Sequence, residues 1–323
     1  MAEVAILTGN DKDAIGENQR LKEELVALGV GVRFVDYNES VVLMDDTGMS
    51  QGVPVLTLGE KQNIKPDAVI IRINEPDFDT VTKAKRFMEA FNKLKVPMTA
   101  STSAVDSCKD KIATHDKLVA AGIPTPRTAM PTSTDAIEIA KVLEFVEPNP
   151  HRPVMIKNIF GTKGIGVARA GSRKSALPFV QLLVDAGVQI LAQEYIETKR
   201  DGFYRDKRLL VVGATVVASM TRLSSTDFRT NLSLSESAGG ISDAYGKPLR
   251  ATARDKDLAV RTAQALGLLI AGIDILPRAK GGSYVDDVNL SPGFLIESVT
   301  NTNVAGAIAL LGYQLASDSS SHS

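Results

Sequence analysis

Along the first hundred residues, short apolar runs alternate with amphipathic helical patterns, and this alternation restricts the fold more than any other feature of the chain. VAILT (4–8), VGVRFVDY (30–37) and AVIIRI (68–73) have the length of buried strands. QRLKEELVAL (19–28) and AKRFMEAFNKL (84–94) carry apolar residues at helical spacing. Strands separated by such helices pack as a parallel sheet covered by those helices, so the chain reads as α/β. VVLMDDTGMSQGVPVL (41–56) reads as two further strands around a polar turn. The first turn, from Gly9 to Gly16, does not spell G-x-G-x-x-G, which removes the main support for hydride transfer with a dinucleotide.

Charge and length narrow the class. Thirty-seven basic residues against 38 acidic argue against an electrostatic partnership with nucleic acid or an anionic membrane. No stretch approaches the ~18 apolar residues of a membrane helix, and MAEVAILTGNDKD has acidic residues where a secretion signal needs a basic flank. The expected address is the cytoplasm. A chain of 323 residues suggests two or three domains. Cys108 stands alone, which excludes an internal disulfide; with only His115, His151 and His322 beside it, any metal should be oxygen-ligated. Cys108 has no recognisable base partner and reads as an unreactive thiol.

Breakers suggest the organisation. Pro97 ends the first unit, and a helix over 110–121 is closed by Gly122, Pro124 and Pro126. We place an N-terminal α/β domain at 1–107, a small lobe at 108–200, a C-terminal lobe at 201–316, and a solvated, disordered tail, SDSSSHS, at 317–323. In the C-terminal lobe RLLVVG (208–213) and TVVASM (215–220) predict a tight antiparallel hairpin. Helices are expected at 254–266 and 303–315, and strands at AGIDIL (271–276) and SYVDDVNL (283–290).

Three groups of residues could carry chemistry. Lys157 ends the apolar strand VMIK and is followed by the loop GTKGIG (161–166), whose backbone N–H groups can approach phosphate oxygens. The loop runs into the strand-like VARA, so it is not a Walker A loop, and a plain tight turn is the competing reading. Asp274 closes a strand, while Asp287 and Asn289 alternate onto one face of another; these hard oxygen donors suit Mg²⁺. Asp286 falls on the opposite face, so its replacement should be mild. Arg208 and Arg229 offer guanidinium forks suited to a phosphorylated carboxylate, with surface ion pairing as the alternative.

In chain order, Lys111, P-x-M-I-K (153–157), GTKGIG, QEYI (193–196), D-x-R (206–208), DFRTN (227–231), AGIDIL and D-x-N-x-S-P-G (287–293) resemble an ATP-grasp ligase. Within that superfamily the resemblance is to RimK-type enzymes, which extend a peptide or protein carboxylate with glutamate, and it covers residues 66–315. It implies an ATP-grasp fold: a Rossmann-like pre-ATP-grasp domain, a small α/β lid lobe, and a C-terminal α/β lobe, with nucleotide held between the last two. It implies Lys111 and Lys157 at the phosphates, with Lys109 an alternative to the former, under a lid containing Lys163, Gly164 and Gly166. Glu194 and Tyr195 would face adenine, Asp206, Arg229, Thr230 and Asn231 would complete the nucleotide pocket, and Asp274, Asp287 and Asn289 would hold Mg²⁺. Arg208 and Arg229 would be the catalytic arginines.

The activity so implied is an ATP- and Mg²⁺-dependent carboxylate–amine ligase working through an acyl phosphate, with Mn²⁺ as a substitute cation. The acceptor would be a peptide, a protein or a small-molecule acid, and the enzyme a dimer or tetramer. Three departures bear on specificity. Asp287 stands where the family usually has Glu, SLSESA (233–238) precedes Gly239 and Gly240, and TKRDGFYRD (198–206) is longer and more charged than the family pattern. The competing functions are a phosphotransferase that stops at a phosphorylated product and an ATP-binding regulator without turnover.

Overall fold

The computed structural model describes all residues except 1, 10, 11, 44–51, 58, 75–77, 162, 163, 233–242, 279, 280 and 321–323. The chain opens with β1 (Glu3–Thr8), α1 (Lys12–Ala27) and β2 (Gly31–Asp36). Next come β3 (Ser40–Val42), β4 (Val53–Thr57) and β5 (Glu60–Ile64), which make a small antiparallel sheet, and then β6 (Ala68–Arg72) and α2 (Phe78–Lys93). β2, β1 and β6 pair in parallel, in that order. β1 and β6 are buried on both faces, as parallel strands covered by helices require, while the edge strand β2 is half-buried with Phe34 exposed. Val4, Ile6 and Ile70 pack with Leu21 and Leu25 of α1, while Ala5, Leu7 and Ile71 pack with Phe87 and Phe91 of α2.

Two short helices follow, α3 (Thr102–Lys109) and α4 (Lys111–Ala120). Ser101 caps the first by accepting from the Ala104 N–H, and Asp110 caps the second by accepting from Ile112 and Ala113. The expected helix over 110–121 is therefore present, but α3 was not expected, and it crosses the boundary drawn at 107–108. The small lobe then runs β7 (Thr128–Ala129), α5 (Ala136–Val146), β8 (Val154–Asn158), β9 (Val167–Ala170), α6 (Arg173–Asp185) and β10 (Ile190–Glu194). Its antiparallel sheet has the order β7-β10-β8-β9. Val154, Ile156, Ile190 and Ala192 point into a core closed by α5 and α6. Alternation sends Met155, Lys157, Leu191 and Gln193 to the other face.

The remaining elements are β11 (Tyr204–Val212), β12 (Thr215–Ser224), β13 (Tyr245–Pro248), α7 (Ala253–Leu266), β14 (Ile270–Pro277), β15 (Ser283–Asn289), α8 (Leu295–Thr300) and α9 (Val304–Ser320). The strands form one antiparallel sheet in the order β13-β12-β11-β14-β15, which includes the expected hairpin as β11 and β12. This sheet shares both large cores with the N-terminal sheet: Leu209, Ile273 and Val288 join one, and Leu210, Met220 and Ile270 the other. α9 packs against α1 and β6 at Gly312, where a Cβ would lie 2.8 Å from Ile70 Cδ1. The disordered tail expected at 317–323 is corrected as far as Ser320, to which helix continues, with the Ser317 hydroxyl donating to the Tyr313 carbonyl one turn back; 321–323 lie outside the described residues. No helix among the described residues is long and apolar enough to cross a membrane.

One buried cation joins the first sheet to the turn that follows β15. Arg72, 1% exposed at the end of β6, donates to the Pro292 carbonyl at 2.9 Å and to Glu17 Oε2 at 2.6 Å, and its guanidinium lies 4.8 Å from the Phe294 ring centroid. Glu17 Oε1 accepts from the Phe294 N–H, and the Ser291 hydroxyl accepts from the Ile73 N–H. The turn that follows β15 thus depends on an ion pair in the N-terminal sheet. Removing one member of a buried pair strands its partner, so Arg72→Ala should lower the unfolding free energy by about 3–5 kcal/mol in urea titrations.

Candidate nucleotide and metal site

A cleft of about 880 Å³, counting its open side, lies between the inner face of the small sheet and the five-stranded sheet. The alternation of β8 brings Lys157 to it, only 7% exposed, with Nζ 2.8 Å from Asp286 Oδ1. Lys111, at the start of α4, also lines it and donates to the Gly161 carbonyl at 2.5 Å. Lys109 instead reaches the Ile73 carbonyl at 3.4 Å, so Lys111 is the lysine at the cleft. Gly166 has φ +73°, and a Cβ there would fall 2.9 Å from Asn158 Cβ, while its carbonyl accepts from the Asn158 N–H. Gly164 lines the cleft and Gly166 does not; Lys163 lies outside the described residues.

The opposite end is less polar. Met155, Val167, Ile196, Phe228 and Leu276 come from both sheets and their connections, beside Glu194 and the buried Tyr195. The Glu194 carboxylate accepts from Arg127 Nε at 3.1 Å. Arg169 of β9 crosses between the two sheets: it donates to the Tyr195 and Tyr204 hydroxyls at 3.3 and 3.2 Å and lies 5.2 Å from the Phe228 ring centroid. Arg229 forks onto Asp227, at 2.6 Å from NH2 to Oδ2, and lines the cleft with Thr230 and Asn231. Those hydrogen bonds hold the Asp227 carboxyl below the usual range in spite of partial burial.

A ladder of buried charges forms the floor. Arg222, 4% exposed, forks onto Asp206 and also reaches Asp274 Oδ2 at 2.9 Å. Arg208 forks onto the same Asp274 at 2.5 and 2.7 Å. The expectation that Arg208 presents its fork to the open cleft is corrected: the fork is turned onto Asp274, and Arg208 is absent from the lining. The close approach at Gly272 is to Pro292, whose Cβ would lie 3.0 Å from a Cβ there. Burial raises the Asp274 carboxyl, but the Arg208 and Arg222 charges outweigh it and hold the group at about 2. Asp206, with one arginine and a Thr230 hydrogen bond, is pushed upward by its loss of hydration.

β15 departs from simple alternation. Asp287 pairs with Asp274, but Ile275 pairs with Val285, leaving Asp286 as an extra residue in a β-bulge. Val285 and Val288 both enter the core, so the two residues between them turn to the cleft. The placement of Asp286 on the far face is therefore corrected: it lines the cleft beside Asp287 and holds Lys157. Asn289 shares the face of Asp287, opposite Gly272, but is exposed, lies outside the lining, and accepts from the Ser291 N–H through Oδ1.

Residues 108–311 match the RimK-like ATP-grasp domain. A probable alpha-L-glutamate ligase of Coxiella burnetii (strain RSA 493 / Nine Mile phase I) is 33% identical over 307 residues, 94% of this chain and 93% of that protein. This chain belongs to the RimK-like ATP-grasp family. A probable alpha-L-glutamate ligase of Pasteurella multocida (strain Pm70) is 30% identical over 292 residues, 89% of this chain and 87% of that protein. The fold is also that of the ATP-grasp ligase PsnB, solved with a phosphomimetic variant of a minimal precursor, Mg and ADP. That structure gives a TM-score of 0.72 at 18% identity, covering 97% of this chain and 98% of PsnB.

In this RimK-like chain the donors suit Mg²⁺, which takes one or two carboxylates alongside phosphate and water oxygens. Among the described residues no ion pair or hydrogen bond occupies Asp287, which pairs with Asp274 across the strands and lines the cleft, and no group of three or more His, Cys, Asp or Glu that could hold a metal is found. Cys108 is no rival nucleophile, since burial first and the Asp287 charge next push its thiol up to about 12. Sequence reasoning missed Arg222, Asp286 and Arg169. The parity of β12 would have pointed to Arg222 only with the correct hairpin register, and no local signal announced the bulge at Asp286.

The ladder makes a pH prediction. Asp274 is depressed from the ordinary 3.8 to about 2, so its stabilising contribution is complete above about pH 4 and is lost as pH falls through 2. That shift corresponds to roughly 2 kcal/mol. Urea unfolding between about pH 2 and pH 5 should show a shallower acid limb for Asp274→Asn than for the natural chain.

Proposed function

We propose that this enzyme adds an amino acid, with glutamate the first candidate, to a carboxylate on a peptide, a protein tail or a small-molecule acid. It is an ATP-dependent carboxylate–amine ligase. The observation that carries the reading is the meeting of Lys111, Lys157 and Asp287 at one end of a cleft that Arg229 also lines, with an apolar slot at the other end. A planar base suits the slot beside Tyr195 and Ile196, with polyphosphate toward the lysines. Asp274, Asp287 and Asn289 are the residues we assign to the cation, which when bound would neutralise polyphosphate charge; Mn²⁺ takes the same oxygen donors.

The residues divide the chemistry. The acceptor carboxylate attacks the γ-phosphorus, ADP leaves, and the acyl phosphate is then attacked by the amine, which loses a proton as phosphate departs. Lys111 and Lys157 hold the polyphosphate, and Arg229 stabilises charge on the transferring group. Arg208 keeps Asp274 ionised and fixed, while Gly164 belongs to the loop that shields the acyl phosphate from water. The relatives described as probable glutamate ligases support glutamate as the amine, and PsnB, also solved with a precursor peptide, supports a peptide acceptor.

Hydroxylamine tests the reaction. With Mg-ATP and the correct acid it should replace the amine and yield a hydroxamate. Arg229→Lys should reduce that yield about a hundredfold, because an ammonium cannot reproduce a guanidinium fork. Acid-dependent ADP formation with a stable phosphorylated product and no hydroxamate would instead establish a phosphotransferase.

A further inference from the structure

We infer that Asp286 is a built-in rival of the nucleotide for Lys157, and that this rivalry makes nucleotide binding depend on a divalent cation. The inference rests on the reading that polyphosphate lies against Lys157. An ammonium as buried as that of Lys157 requires a counter-ion, and its ion pair among the described residues is with Asp286 at 2.8 Å. Asp286 can serve only because the bulge turns it toward the cleft together with Asp287. The pair joins β8 of the small sheet to β15 of the large one, at the end of the cleft assigned to phosphate.

Charge conservation sets the consequence. A phosphate that engages Lys157 draws the ammonium away from Asp286 or shares it. Either way a carboxylate loses part of its compensation beside Asp287 and beside an incoming polyanion. No surplus of positive charge absorbs this at that end of the cleft, where Lys111 and Lys157 stand against Asp286 and Asp287, two charges against two. Metal-free nucleotide therefore meets repulsion that a cation between phosphate and the paired carboxylates removes. Asp286 thus penalises bare ADP or ATP far more than the metal complex, and it does so through Lys157.

The test is ADP affinity of the full chain measured in EDTA and in excess Mg²⁺, by calorimetry. Asp286→Asn keeps the shape and removes the charge; it should tighten metal-free ADP about tenfold and shrink the gain conferred by Mg²⁺ by a similar factor. Asp286→Glu, which keeps the charge, should bind as the natural chain does. In a Lys157→Ala background the same Asn replacement should gain clearly less, since the rival interaction is already gone. A merely structural role predicts the opposite sign, because damage to the cleft weakens binding. Should Asp286→Asn fail to fold, Asp286→Ser removes the same charge and is expected to give the same gain. Metal-free affinity that is unchanged or weaker in the neutral variant overturns the inference, as does an equal gain in the Lys157→Ala background. If the natural chain binds ADP neither with nor without Mg²⁺, the nucleotide reading itself falls.

Discussion

Asp206, Arg222, Asp274 and Arg208 form a chain of alternating charges under the cleft, and the rest of the site is arranged around it. None of these side chains is well hydrated, so each is tolerable only while its neighbours stay in place. The ladder also fixes direction. With both oxygens of Asp274 held by two arginines, the carboxylate stays ionised and oriented toward Asp287 on the next strand. Both properties come from cross-strand neighbours rather than from the residue's own strand.

Two irregularities in otherwise regular strands bring the parts into register. The pairing of β11 with β12 shifts between Leu210 and Val211, and this places Arg222 opposite Asp206; continuing the Val212–Thr215 pairing without the shift would have put Thr221 there. The second irregularity, on β15, adds Asp286 to the cleft beside Asp287. A bulge changes which face a side chain occupies without lengthening the sheet, so one extra residue can alter a site while the core beneath continues undisturbed. Val285 and Val288 remain buried on either side of it.

The small lobe has its own core, and two of its polar ties to the large sheet lie along the cleft. Lys157 bonds Asp286 at one end, and Arg169 meets Tyr204 and Phe228 at the other. Both reach from strands whose alternate residues are packed on α5 and α6. The same pleat that closes the lobe's core therefore supplies groups that face the cleft. By contrast the N-terminal sheet is continuous with the large one through shared cores, and Arg72 fixes the turn after β15 against it. A stable base with a lobe attached across a charged cleft is an arrangement suited to opening and closing on a polyanion.

Apolar periodicity and breakers determined the α/β class, the parallel N-terminal sheet, the small lobe and the hairpin of the large sheet, because burial of one face leaves a local pattern in the sequence. The ordered motifs from Lys111 to Gly293 likewise determined the family and placed Lys157, Glu194, Arg229 and Asp287 in one cleft. Helix α3 and the extension of α9 to Ser320 left weaker signals: a serine cap in one case, and in the other a hydroxyl bond to the preceding turn. Only the tertiary structure decided that Arg222 completes the ladder, that Arg208 turns to Asp274, that Arg169 spans the lobes and that Asp286 faces the cleft. Those outcomes depend on cross-strand register and on bulges, and register is a property of two segments far apart in sequence, set by how their buried faces pack together.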